Sequence, residues 1–237
     1  MSKDFSIRCE LPELMDDPHL SKEALEGTLK DISRCNRLLG GNKITLNAVN
    51  QFFNQYPDKK EWIIVDMGCG DGEMLRLISD KFENQNVSLQ LIGVDLSPKN
   101  VFLAREKSMD YEHISFIEED ILKLNPDHFK CDIILCTLTL HHFSDTQILI
   151  FLKQFVRLAA RSILINDLQR SKLSYQLFRI FSSIFIKSPV AKYDGLISIR
   201  SSFRRNDFKK FAKELKIADS RVSWKWAFRY LWTIKTL

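Results

Sequence analysis

The stretch Ile63-Ile64-Val65-Asp66-Met67-Gly68-Cys69-Gly70-Asp71-Gly72 sets the strongest constraint on the fold. Its short apolar start, rich in β-branched residues, reads as a buried strand. The strand ends in an aspartate, and glycine then stands at every second position. Glycine takes positive φ cheaply and leaves room for a close neighbour. Three glycines directly after a strand therefore describe a chain turning sharply around something. Met74, Leu75, Leu77, Ile78 and Phe82 follow at helical spacing. Strand, glycine turn and helix together make the geometry in which a ligand sits against a loop and a helix N-terminus.

The alternation continues. Strands are predicted at 62–67, 90–95, 114–118, 131–137 and 162–167, with helices between them at about 73–83, 98–108 and 145–160. This order implies an α/β fold with a parallel, doubly wound sheet. Residues 221–226 and 229–236 each alternate and read as an antiparallel hairpin closing that sheet. Upstream, Ser21 is a good N-cap for a helix whose apolar positions run to Leu39, with Gly40-Gly41 as its stop. A second helix is expected from Thr45 to Gln55, ending before Pro57. Residues 1–56 thus read as a helical cap. Residues 57–237 read as the α/β domain, with a lid insertion at about 168–205.

An apolar content of 45% supports a sizeable core. No run of 18 apolar residues predicts a spanning helix, and the first residues lack the apolar region of a secretory signal. The five cysteines are odd in number and contain no C-x-x-C pair. Neither a disulfide framework nor a metal site is indicated, and a cytoplasmic setting is expected. Charge is unevenly spread. Residues 1–167 carry 19 Lys+Arg against 26 Asp+Glu, and residues 168–237 carry 16 against 4, a net of −7 and +12. Such a basic third suits an anionic partner (lipid headgroups, nucleic acid or an acidic substrate) or forms a solvated face.

Asp66 narrows the ligand. A nicotinamide cofactor would bring its pyrophosphate to this turn, where a carboxylate repels it. S-adenosylmethionine carries an ammonium group, a sulfonium and no phosphate, so it suits Asp66. Asp95 ends the second strand, where a carboxylate can accept both ribose hydroxyls. Asp120 lies just past the third strand, within reach of an adenine amino group, and Leu96 and Ile121 can sandwich the ring. Three carboxylates at three successive strand ends line the edge where open α/β sheets bind ligands.

The segments 66–72 (DMGCGDG), 93–98 (GVDLSP), 118–121 (EEDI) and 136–142 (CTLTLHH) together resemble the class I S-adenosylmethionine-dependent methyltransferases. The resemblance implies strand order 3-2-1-4-5-7-6 with the last strand antiparallel. It implies Asp66, Gly68, Cys69 and Gly70 at the methionine end of the cofactor, with Thr137 nearby. Asp95 would hold the ribose, and Asp120 with Ile121 the adenine. Leu140-His141-His142-Phe143 looks like the ubiquinone/menaquinone-type small-molecule subgroup. Residues 13–18, 37–41 and 166–171 look like a bacterial subgroup found beside polyketide-type phenol biosynthesis.

His141 and His142 follow the fourth strand. A histidine there can act as general base toward a phenol, or can instead shape the pocket. On an extended segment the two would face opposite sides. Arg34 and Arg37 are candidates to pair with the cofactor's carboxylate. Residues 171–187 place Leu173, Leu177, Ile180, Phe181 and Ile184 on one helical face, widened by Phe178 and Phe185. That stripe can pack in the core, line a pocket for a greasy substrate, or lie on an anionic membrane surface.

The expected function is methyl transfer to a small lipophilic acceptor, a phenol or quinone precursor, by a cytoplasmic protein that touches membranes at most peripherally. A nucleic-acid methyltransferase is the first rival. The segment after the fourth strand reads Cys-Thr-Leu-Thr rather than the Asp/Asn-Pro-Pro-aromatic motif, and no Pro-Cys nucleophile or zinc knuckle is present. No nucleic-acid partner is therefore expected. The second rival is an interaction protein that has kept the fold without turnover.

Overall fold

The computed structural model describes residues 4–17, 19–124 and 130–236. Helix α1 (Lys22–Leu38) starts on Ser21, whose hydroxyl accepts from Ala24 N at 3.2 Å. Gly40, at φ +72°, ends this helix and also caps α2 (Gly41–Gln55). The second helix therefore begins four residues before the expected Thr45, because one left-handed glycine turns the chain directly from helix to helix.

Five parallel strands follow: β1 (Glu61–Met67), β2 (Ser88–Asp95), β3 (Ile114–Glu118), β4 (Cys131–Thr137) and β5 (Ala159–Leu168). Helices α3 (Glu73–Phe82), α4 (Pro98–Lys107) and α5 (Asp145–Leu158) make the crossovers. After β5 come α6 (Lys172–Phe185), α7 (Pro189–Ser201) and α8 (Arg205–Glu214), then β6 (Ser220–Lys225) and β7 (Arg229–Lys235). The sheet order is β3-β2-β1-β4-β5-β7-β6, with β7 antiparallel to both neighbours. This is the expected order, and the terminal hairpin supplies its last two strands.

Strand alternation sorts the core into two layers. Ile64, Ile133, Leu135, Leu164 and Leu231 meet α2 and α3 on one face. Val65, Ile134, Ile163, Ile165 and Trp232 meet α5 and α8 on the other. Continuing each strand by two residues carries Asp66, Thr137, Asn166 and Arg229 onto the α2 face, at the C-terminal edge of the sheet. Asn166 fixes that face by donating to Gly41 O at 3.1 Å and Thr45 Oγ1 at 3.0 Å.

Backbone N–H groups tie a roof over this edge. Asp31 of α1 accepts from Lys187 N and Ser188 N at 2.8 and 2.6 Å. Asp194 of α7 accepts from Leu14 N and Met15 N at 2.7 and 2.9 Å. In α6 the buried residues are Ser174, Tyr175 and Ser182, whereas Leu173, Ile180 and Ile184 are 58–69% exposed. Most of the stripe therefore does not pack in the core. Phe178 fills the notch at Gly195 and the small serines let α6 lie close, so most of the aliphatic face turns outward.

Gly93 and Gly27 make opposite predictions about this packing. A Cβ on Gly93 would lie 2.6 Å from the Phe116 ring and 2.7 Å from Cys69 Sγ, behind the glycine turn. Gly93→Ala is expected to lower unfolding stability by about 1–3 kcal/mol, the cost of overpacking. Gly27 lies exposed inside α1 with nothing within 4 Å of its Cβ position. Gly27→Ala is expected to raise stability by about 0.5–1 kcal/mol in the same urea melts.

Candidate active site

The glycine turn is positioned by β2. Gly70 N donates to Asp95 Oδ2 at 2.9 Å, while Gly68 N and Cys69 N donate to Val94 O. Gly68, Gly70 and Gly72 have φ of +76°, +55° and +76°. Gly68 also lacks space, because a Cβ there would overlap the Thr139 side chain. Asp71 accepts from Glu73 N at 3.2 Å and pairs with Lys107 at 2.6 Å, so it anchors the turn.

Behind the turn two carboxylates are buried side by side. Asp95 Oδ1 accepts from Ser97 N at 2.9 Å and Asn100 Nδ2 at 3.2 Å. Burial raises its pKa, against the effect of those bonds. Asp66 Oδ1 is buried with no partner. Burial, and then the charge of Asp95, push the Asp66 carboxyl up to about 7. An orphaned carboxylate oxygen beside a glycine turn is the fit expected for a cofactor bearing an ammonium group.

A cavity of about 1050 Å³ opens from this point. Ligand pockets span about 300–1,000 Å³, so there is room for a cofactor and an acceptor together. Asp66, Gly68, Cys69, Gly70, Asp95, Leu96, Ile121 and Thr137 all line it. Asp120 does not: its carboxylate accepts from Leu122 N at 3.0 Å and caps the short turn Ile121–Lys123. Arg34 and Arg37 are exposed on α1 and also lie outside the lining. The buried arginine in the wall is Arg229, at the start of β7. Leu177, Phe178, Phe181 and Ile186 form an apolar wall, so part of the α6 stripe faces the cavity.

The two histidines lie on the single 3₁₀ turn Leu140–His142, not on an extended segment. That curvature stacks their rings at 4.5 Å and turns both toward Glu13, correcting the expectation of opposite faces. His141 is buried, with Nδ1 2.7 Å from Asp167 Oδ1 and Nε2 3.5 Å from Glu13 Oε1. Burial disfavours its charged form, but the charge and hydrogen bond of Asp167, aided by Glu13, prevail and raise it to about 10. Asp167 is held below its usual range, His141 offsetting the cost of burial. His142 is partly exposed and sets Nδ1 3.2 Å from Asp16 Oδ2. Glu13, His141 and His142 bring potential metal-ligand atoms within 4.8 Å of one another.

Residues 64–161 match the family described as a methyltransferase domain. Over 87 residues the chain is 34% identical to malonyl-[acyl-carrier protein] O-methyltransferase 1 of Ilyobacter polytropus, covering 37% of this chain and 31% of that protein. Over 88 residues it is 30% identical to 5-methylorsellinic acid synthase of Aspergillus terreus, covering 37% of this chain and 3% of that protein. The chain thus spans less than a third of the length of either relative. Among solved structures, the plantazolicin methyltransferase BpumL in complex with SAH superposes with a TM-score of 0.69 at 18% identity, covering 93% of this chain and 91% of that one. The CurJ carbon methyltransferase gives 0.62 at 15% identity, covering 82% and 54%. Residues 64–161 thus match a methyltransferase domain, and the sheet order and superpositions give the chain the fold of these methyltransferase structures.

Proposed function

We propose that the protein transfers a methyl group from S-adenosylmethionine to a small lipophilic acceptor, a phenol or quinone precursor. The observation that carries this reading is one continuous cavity with an unpartnered Asp66 oxygen at the glycine turn and an apolar wall from α6. The cofactor supplies a methyl group already activated on sulfonium. The chain's own tasks are to bind, align and keep out water. Asp66 would meet the ammonium group, Asp95 the ribose hydroxyls, and Leu96 with Ile121 the adenine faces. The malonyl-[acyl-carrier protein] O-methyltransferase, the plantazolicin methyltransferase and the citrinin polyketide synthase CMeT domain among the similar proteins support an acceptor that is a small or carrier-bound molecule.

The histidines divide the remaining work. His141, held as a cation between Asp167 and Glu13, fixes the floor of the cavity and the position of its neighbour. His142, stacked on it and partly open to the cavity, is placed to take a proton from an acceptor hydroxyl.

A second reading concerns access. The outward residues Leu173, Ile180 and Ile184 stand beside the exposed Lys172, Arg179 and Lys187. Apolar and basic groups side by side suit an interfacial helix, each cation adding about 1 kcal/mol near an anionic surface. No helix among the described residues is long and apolar enough to cross a membrane. Through α6 the protein would collect a lipophilic acceptor at the membrane surface.

Calorimetry should detect S-adenosylhomocysteine binding and no comparable binding of NAD. Asp95→Ala should weaken the former by about 1.5–3 kcal/mol, and unchanged affinity would move the ribose elsewhere. Incubation with labelled S-adenosylmethionine and a panel of phenols, quinols and lipid extracts should yield a labelled product. His142→Gln should lower that turnover about 10²–10⁴-fold with cofactor affinity intact; an unchanged rate assigns the proton to another group. Absence of transfer to any acceptor would favour the non-catalytic rival.

His141 predicts a pH effect on stability. Its raised folded-state pKa means the pair stabilises fully below its ordinary value of 6.5 and is lost as pH rises through about 10. His141→Gln should therefore cost about 3–5 kcal/mol at neutral pH, and its gap to wild type should narrow as pH rises from about 6.5 toward 10. A gap independent of pH would contradict the ion pair. Sedimentation with anionic vesicles at low salt should pellet the protein, and Ile180→Glu should abolish this. Equal pelleting with neutral vesicles, or none, would reject the membrane reading.

A further inference from the structure

Arg229 is 3% exposed and forms part of the cavity wall. Its Nη2 donates to Asn36 Oδ1 at 2.6 Å, a neutral partner, and its Nη1 is buried with none. Among the described residues no carboxylate lies within ion-pair distance of it. Desolvating a guanidinium without a counter-charge is expensive, and buried cations are ordinarily paired. The surroundings nevertheless preserve the group. Gly41 gives it space, since a Cβ there would lie 2.8 Å from Cζ and Nη2.

The position separates Arg229 from the acidic end of the cavity. Asp66 lies on β1 and Asp95 on β2, whereas Arg229 opens β7, opposite Leu168 of β5. The path from β1 to β7 crosses β4 and β5, three strand spacings or about 14 Å. Its guanidinium lies against Asn36 of α1 and Gly41, and Gly41 O is held by Asn166 of β5, so the group stands at the β5 side of the cavity. On the reading proposed above, that is acceptor space rather than cofactor space.

We infer that Arg229 is a recognition site for a carboxylate carried by the methyl acceptor. The planar guanidinium offers Nη1 as a free donor, and Asn36 fixes its orientation from the other side. The acceptor is thereby defined further: an apolar body against the α6 wall and an anionic oxygen group at the β7 end. The inference rests on the cofactor assignment only for the word acceptor. The anion site itself does not need that assignment.

Benzoate and its neutral isostere benzamide are the probes, followed by ligand-detected NMR on the full chain with and without S-adenosylhomocysteine. Benzoate should bind in both states, and benzamide at least tenfold more weakly. Arg229→Gln should lose benzoate by at least tenfold while keeping S-adenosylhomocysteine affinity within about twofold. Gly41→Ala, which crowds the guanidinium without removing it, should also weaken benzoate and serves if Arg229→Gln does not fold. Equal binding of benzoate and benzamide, or benzoate binding indifferent to both substitutions, overturns the inference. So does a tenfold loss of S-adenosylhomocysteine with no benzoate bound, which would give Arg229 to the cofactor's own carboxylate. Benzoate binding in a protein that fails to bind S-adenosylhomocysteine would keep the anion site and refute the methyl-transfer reading instead.

Discussion

The 2.9 Å hydrogen bond from Gly70 N to Asp95 Oδ2 is the joint on which the site depends. It fastens the turn after β1 to the tip of β2, and it forms only because Gly93 leaves space for Cys69 and Phe116 behind it. The same closure buries Asp66 and Asp95 together, so burial and then the charge of Asp95 make Asp66 harder to ionise. Asp95 is compensated by three donors, whereas Asp66 retains an oxygen with none. The fold thus maintains an unfavourable feature at the point where a cationic ligand would relieve it. Local strain or frustration of this kind is expected where function, not stability, selects the residues.

The rest of the cavity is organised by carboxylates that are satisfied. Asp31 and Asp194 accept paired backbone N–H groups and hold the roof segments to α1 and α7. Glu13 accepts from Ser198 Oγ at 2.6 Å and faces both histidine rings. His141 lies between Glu13 and Asp167, where breaking one partner leaves an uncompensated buried charge. These links make the N-terminal residues part of the cavity wall. They fix geometry around a greasy interior instead of adding much net stability.

The sheet was legible because its evidence is local. Alternation within each strand, a glycine turn and an N-cap serine each act over a few residues. The cavity-lining positions Asp66, Gly68, Gly70, Asp95 and Thr137 were legible for the same reason, since strand ends share one edge. What was not legible depends on tertiary neighbours. Arg37 is an ordinary exposed helix charge, and nothing in α1 itself says that the cavity's arginine comes from β7. The one signal was an arginine opening a strand hydrogen-bonded on both sides, where a charge needs a reason. In α6 apolar periodicity located the helix but left its inner face open, which Ser174 and Ser182 set by allowing close approach that larger residues would prevent. Glu13 sits in a short acidic segment with no pattern, and only the fold carries it to the histidines.

The central claim is that Asp66 meets the cofactor's cation. A carboxyl with a pKa of about 7 is roughly half protonated at pH 7, and pairing with an ammonium group forces that proton off. Calorimetric titration of S-adenosylhomocysteine at pH 7 in two buffers of different ionisation enthalpy counts the protons exchanged. The account predicts release of roughly half a proton per site, abolished in Asp66→Asn. Binding with no proton exchange, or identical exchange in Asp66→Asn, would contradict it.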